Sequence, residues 1–132
     1  VRAAPLLRAG DTPESRRIGP VTATDIVRFA GAGGDFNPLH HDPAAAQAAG
    51  FPGVIAMGQY TAGLLAALLS DWVGIENLRE FEVRFMSPVF AGDVIEVTAE
   101  VTAVERDFAQ LSLAARAGDR VVVTATAEVA SR

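Results

Sequence analysis

Between Gly58 and Val73 the chain is apolar on almost every side, and immediately after Gly74 its periodicity changes from helical to two. No other feature constrains the fold as much. Leu64, Leu65, Leu68 and Leu69, with Ala62, Gly63, Ala66 and Ala67, offer water no polar face, so the helix they form must be enclosed. The small residues among them allow close approach to a sheet. Beyond Gly74 the residues alternate: Phe81, Val83 and Phe85 with Glu82 and Arg84, then Ile95, Val97, Ala99 and Val101 with Glu96, Thr98, Glu100 and Thr102. Leu111 and Leu113, then Val121, Val123, Ala125 and Ala127, continue the pattern. These runs read as antiparallel strands with one buried face, joined by turns at Pro88 to Asp93, Glu105 to Asp107 and Gly118-Asp119. The class is therefore α+β, a strand meander around a long helix.

Upstream the elements are shorter. Residues 1–14 read as an irregular arm with a turn at Asp11-Thr12-Pro13, and a short strand is expected around Arg16 to Val21. Thr22 opens a helix whose apolar stripe is Ile26, Val27, Phe29 and Ala30, and Gly31, Gly33 and Gly34 end it. Asp42 is a good N-cap with Pro43 at the first helical position, which predicts a short helix over Ala44 to Ala49 closed by Gly50. Without an internal repeat or a linker, residues 1–132 read as a single domain.

Composition narrows the function classes. A formal net charge of −5 gives no reason to expect nucleic acid or an anionic membrane as partner. The absence of Cys excludes disulfides, zinc–thiolate sites and cysteine nucleophiles. Val1 to Leu7 is too short an apolar run for a signal peptide. The uncharged stretch Val54 to Ser70 is interrupted by Gln59, Tyr60 and Thr61, and falls short of the roughly 20 apolar residues a membrane span needs. A cytoplasmic location is expected.

The chemistry-bearing residues gather in Gly34-Asp35-Phe36-Asn37-Pro38-Leu39-His40. Asp and His are the side chains best suited to moving protons near neutral pH, and here a tight turn joins them. Asn37 tolerates turn geometry, while Pro38 fixes its own φ, donates no N–H and pushes Asn37 away from helix, so these two order the pair. His41 points elsewhere, because adjacent residues seldom aim at one point. A metal at His40-His41-Asp42 would depend on scattered carboxylates, so no metal is expected.

This layout, with the Asp35-to-His40 segment, resembles the MaoC-like, (R)-specific enoyl-CoA hydratase family, which has the hot dog fold, a sheet wrapped around one long helix. The family's pattern runs Gly-Asp-x-Asn-Pro-aliphatic-His, then five residues, then Ala or Ser; Gly34 through His40 and Ala46 fit it throughout. The stretch Phe85 to Asp93 also looks like the family's strand-to-strand turn. The resemblance implies catalysis by Asp35 and His40, with Asn37 as an ordering residue, in the addition of water across the trans-2 double bond of an acyl thioester or its reversal. Hydration needs a base to activate water for attack at C3 and an acid to protonate C2. It also needs a donor where the thioester oxygen becomes enolate-like, and Gly58, at the start of the long helix, is the expected backbone donor. Many relatives carry His-Gly-Met there, whereas this chain has Met57-Gly58-Gln59.

Phe36, Phe51, Met57, Gln59 and Tyr60 are candidates to line the substrate channel. No cofactor is implied beyond the coenzyme A or acyl carrier protein of the substrate itself. Two rival functions stand beside this one: a hot dog acyl thioesterase, and a non-catalytic acyl-binding subunit of a heteromeric dehydratase. The thioesterase would need a carboxylate on or beside the long helix, which has none before Asp71. A homodimer with two sites near the subunit boundary is expected, a heterodimer with a related subunit being the alternative.

Overall fold

The computed structural model describes residues 1–132. After an N-terminal arm come β1 (Arg16–Ile18), α1 (Ala23–Gly33), a 3₁₀ turn (Pro38–His40), α2 (Pro43–Ala48) and α3 (Gly58–Val73). A second 3₁₀ turn (Ile75–Asn77) leads into β2 (Leu78–Phe85), β3 (Ile95–Val104), β4 (Phe108–Ala117) and β5 (Arg120–Ala130). The strands form one antiparallel sheet in the order β1-β3-β4-β5-β2. Periodicity places α3 and the strands correctly because both signals are local.

Pairing is less simple than a meander. β3, β4 and β5 do succeed one another through the expected turns, but β2 pairs with β5, Phe81 opposite Ala127, at the far edge from β1. Residues 86–94 therefore carry the chain across to β3 instead of closing a hairpin. Hydrogen bonds hold this crossover to β5: the Met86 amide donates to the Val122 carbonyl at 2.9 Å, the Ser87 hydroxyl donates to the Val121 carbonyl at 2.8 Å, and Arg120 donates to the Pro88 carbonyl at 2.7 Å. Arg120 also reaches Asp93 at 2.8 Å and lies over the Phe90 ring.

The core lies between α3 and one sheet face. Leu65, Leu68, Leu69 and Val73 are buried against Ile95, Val97, Val101, Leu111 and Leu113. Each such side chain contributes roughly 1.5–3 kcal/mol relative to leaving it in water. Enclosure of α3 is one-sided, however: Gln59, Gly63, Ala67 and Asp71, four residues apart, form an exposed strip. Gln59 and Asp71 are polar and the glycine and alanine between them leave little apolar surface to hide, so this side of the helix can stay open.

Three further positions depart from the sequence pattern. A bulge between Ala115 and Arg116 of β4 and the facing β5 turns Val122 fully inward beside Val123, while Val121 is only half-buried. Val27 of the α1 stripe and Phe85 at the end of β2 are both more than half exposed. Ile26 and Ala30 suffice to seat α1, and Phe85 has run past the core to the rim of a cavity. No helix is long and apolar enough to cross a membrane.

Candidate active site

Local rules build the segment that carries Asp35 and His40. α1 stops where Gly34 takes a left-handed conformation, φ 69°, and the amides of Gly34 and Asp35 both donate to the Ala30 carbonyl. Asp35 thus leaves a rigid helix end. Two residues on, the Asn37 side chain accepts the Leu39 amide at 3.0 Å and caps the Pro38–His40 turn, which Pro38 opens with its fixed φ. The Asn37 amide in turn donates to Asp35 Oδ1 at 3.3 Å. Asn37 therefore fixes both the turn and one oxygen of the carboxylate.

His40 is held from the other side. Its ring nitrogen Nδ1 lies 2.7 Å from the Ile55 carbonyl, an acceptor only, so Nδ1 carries the proton and donates it. Nε2 then faces Asp35 Oδ2 at 3.3 Å. The two groups attract only when a proton resides on one of the facing atoms or a donor bridges both from the side. The imidazole is 9% exposed and the carboxylate 46%, so the pair has one dry member and one member open to the cavity.

That cavity has a volume of about 760 Å³. Asp35 and His40 form part of one wall, and Met57, Gly58, Gln59 and Thr61 bring the N-terminal turn of α3 to it. Phe29, Ile55, Ala56 and Val123 are apolar lining, and Gly33 at the end of α1 and Phe85 to Val89, from the end of β2 and the tethered crossover, supply the rest. At the α3 terminus Met57 gives no side-chain cap, and the Gly58 amide finds no acceptor in the chain. An anion or a polarised carbonyl oxygen is the natural partner for such a group. No group of three or more His, Asp or Glu side chains converges as a metal site would require.

Of the residues singled out from sequence, Asp35, His40, Met57, Gly58 and Gln59 meet at this cavity. Asn37 and Pro38 stand behind it in the turn. Phe36 is 71% exposed, and neither it nor Phe51 reaches the lining. Tyr60 stands one layer back, edge-on to Phe29 with ring centroids 5.6 Å apart. Burial, and secondarily the charge of Asp25, push its phenol above the ordinary value, so it stays protonated. The sequence reading missed Thr61, Met86, Ser87 and Pro88. Thr61 carried a signal as a hydroxyl inside an apolar run, and Met86, Ser87 and Pro88 only through the likeness of the Phe85-to-Asp93 turn.

Residues 6–124 match the MaoC like domain, and the chain belongs to that family. It is 36% identical over 114 residues to the 3-hydroxybutyryl-CoA dehydratase of Methylorubrum extorquens, across 83% of this chain and 72% of that one. Among solved structures it is similar to the (R)-hydratase from A. caviae, with a TM-score of 0.84 and 31% identity over 96% of this chain and 98% of that one. A chain of the ChsH1-ChsH2 complex from Mycobacterium tuberculosis overlays with a TM-score of 0.86 and 27% identity, covering 96% of this chain and all of that one (100%). The sheet and its long helix are thus the hot dog fold, in a family of hydratases and dehydratases.

Proposed function

We propose that this chain is an (R)-specific hydratase/dehydratase that adds water to trans-2-enoyl thioesters and removes it from 3-hydroxyacyl thioesters. One observation carries the reading: Asp35 and His40 face each other at 3.3 Å on the wall of a largely apolar cavity. A water beside the pair, within reach of both, loses a proton to one member as its oxygen bonds to C3, and C2 takes a proton from the other. Because Nδ1 is committed to Ile55, Nε2 is the only atom through which His40 can exchange protons there. Each well-placed proton carrier contributes roughly 10²- to 10⁴-fold. The Gly58 amide would donate to the thioester oxygen as negative charge gathers on it, a bond commonly worth about 10²–10³ in rate.

The carrier is coenzyme A or an acyl carrier protein, no separate cofactor is needed, and the setting is cytoplasmic. Hydrolysis is the weaker reading, because Asp71, the one acid in α3, pairs with Arg16 at 2.7 Å and does not line the cavity. For assembly we propose a homodimer. The likeness to a chain of the ChsH1-ChsH2 complex supports a second reading, pairing with a related subunit, with this chain as the half that keeps Asp35 and His40.

The test is an enoyl-CoA series of increasing chain length, followed through loss of the enoyl chromophore, with product configuration read at C3. Hydration to the (R)-3-hydroxyacyl product is expected, from a protein that light scattering finds as a dimer. Thiol release with the chromophore intact would favour hydrolysis, and a fully active monomer would contradict the dimer.

A further inference from the structure

Thr61 holds a hydroxyl that the fold itself does not use. Its side chain is buried, 1% exposed, and its Oγ1 is the buried side-chain polar atom left without a hydrogen-bond partner. Leaving such a group unpaired costs about 1–3 kcal/mol. A helical Thr ordinarily avoids that cost by donating to the carbonyl four residues back. Here that carbonyl, Met57, is occupied by backbone, accepting the Tyr60 amide at 3.0 Å, and the Thr61 hydroxyl makes no bond to it. The residue nevertheless lines the cavity that Asp35 and His40 face.

Position gives the hydroxyl a purpose. Thr61 lies three residues after Gly58, so the two share a helix face, and the Cα–Cβ bond tilts toward the N-terminus, toward the level of the Gly58 amide. That amide also lacks an acceptor. Two donors of different kind, one a fixed backbone group and one a rotor, thus stand unpaired on the same turn of α3 within one cavity. Asp35 and His40 exchange protons and are not fixed donors to a substrate oxygen, so the carbonyl end of the substrate must find its hydrogen bonds elsewhere.

We propose that the Thr61 hydroxyl donates to the thioester oxygen and, with the Gly58 amide, completes a two-point site for the charge that develops there. This rests on the hydratase reading. No bond is made or broken at Thr61; it supplies one hydrogen bond that strengthens as C3 is attacked. The effect therefore falls on kcat more than on KM.

Thr61→Val tests this, because it removes the hydroxyl and keeps the shape. If Thr61 only packs, losing an unpaired buried hydroxyl leaves kcat alone and raises Tm. If it donates, kcat falls by on the order of 10²-fold with KM little changed, while Tm holds or rises. Thr61→Ser, which keeps the hydroxyl, is expected to retain most of the activity. Wild-type kcat in Thr61→Val, or equal loss in both variants, would overturn the inference while the hydratase reading stands. A wild-type protein that hydrates no enoyl thioester would overturn that reading first and this inference with it.

Discussion

His40 shows how a single hydrogen bond assigns chemistry to a residue, since donation from Nδ1 to Ile55 leaves Nε2 alone facing Asp35. Gly58 shows a different kind of requirement. A Cβ there would lie 2.7 Å from two ring carbons of Phe85, so the position is glycine to accommodate a neighbouring ring as well as any approaching substrate. Phe85 is 51% exposed and can move, so Gly58→Ala is expected to fold. The displaced ring would then intrude on the cavity and lower the hydration rate by up to about 10²-fold. Adding Phe85→Leu should restore part of that loss; wild-type kinetics in Gly58→Ala alone would contradict the steric role. At this scale Asp35, Asn37, Pro38 and His40 were legible because they lie in one short run, and the turn that joins them is written in the same residues. Thr61, Met86 and Ser87 were not, because only the packing of α3 against the end of β2 brings them to one cavity.

Among the elements, α1 fixes where Asp35 begins, and its start is closed by a capping box. The Asp25 carboxylate accepts the Thr22 amide at 2.9 Å, and the Thr22 hydroxyl accepts the Asp25 amide at 3.0 Å. The Thr22 amide first, and its hydroxyl second, hold the Asp25 carboxyl below its ordinary 3.8. A group with a depressed folded-state pKa stabilises fully above its unfolded value and loses that contribution as pH falls through the folded one. The Tm difference between wild type and Asp25→Ala should therefore be constant near neutrality and shrink below about pH 4. A difference that stays unchanged into strong acid would contradict the capping role. Helix ends such as this one, and Asp42-Pro43 before α2, could be read directly, since caps are local chemistry. The partner of β2 could not: alternation tells which face of a strand is buried and nothing about which strand lies beside it, and the Val122 bulge shifts even the face.

For the molecule as a whole, the proposed reaction needs three parts that come from separate regions of the chain. The turn after α1 carries the proton carriers, the start of α3 carries unpaired donors, and the end of β2 with its tethered crossover supplies the apolar wall. The hot dog arrangement brings them together, and no one of them suffices. Family membership gives the general chemistry, hydration or dehydration, while the claim particular to this chain is that Asp35 and His40 perform it. The most direct test is the hydration rate of Asp35→Asn on an enoyl-CoA that the wild type turns over, with folding checked by circular dichroism. This substitution keeps the shape and removes the proton acceptor. A fall in kcat of about 10²- to 10⁴-fold in a folded protein is predicted, and a rate equal to wild type would contradict the assignment.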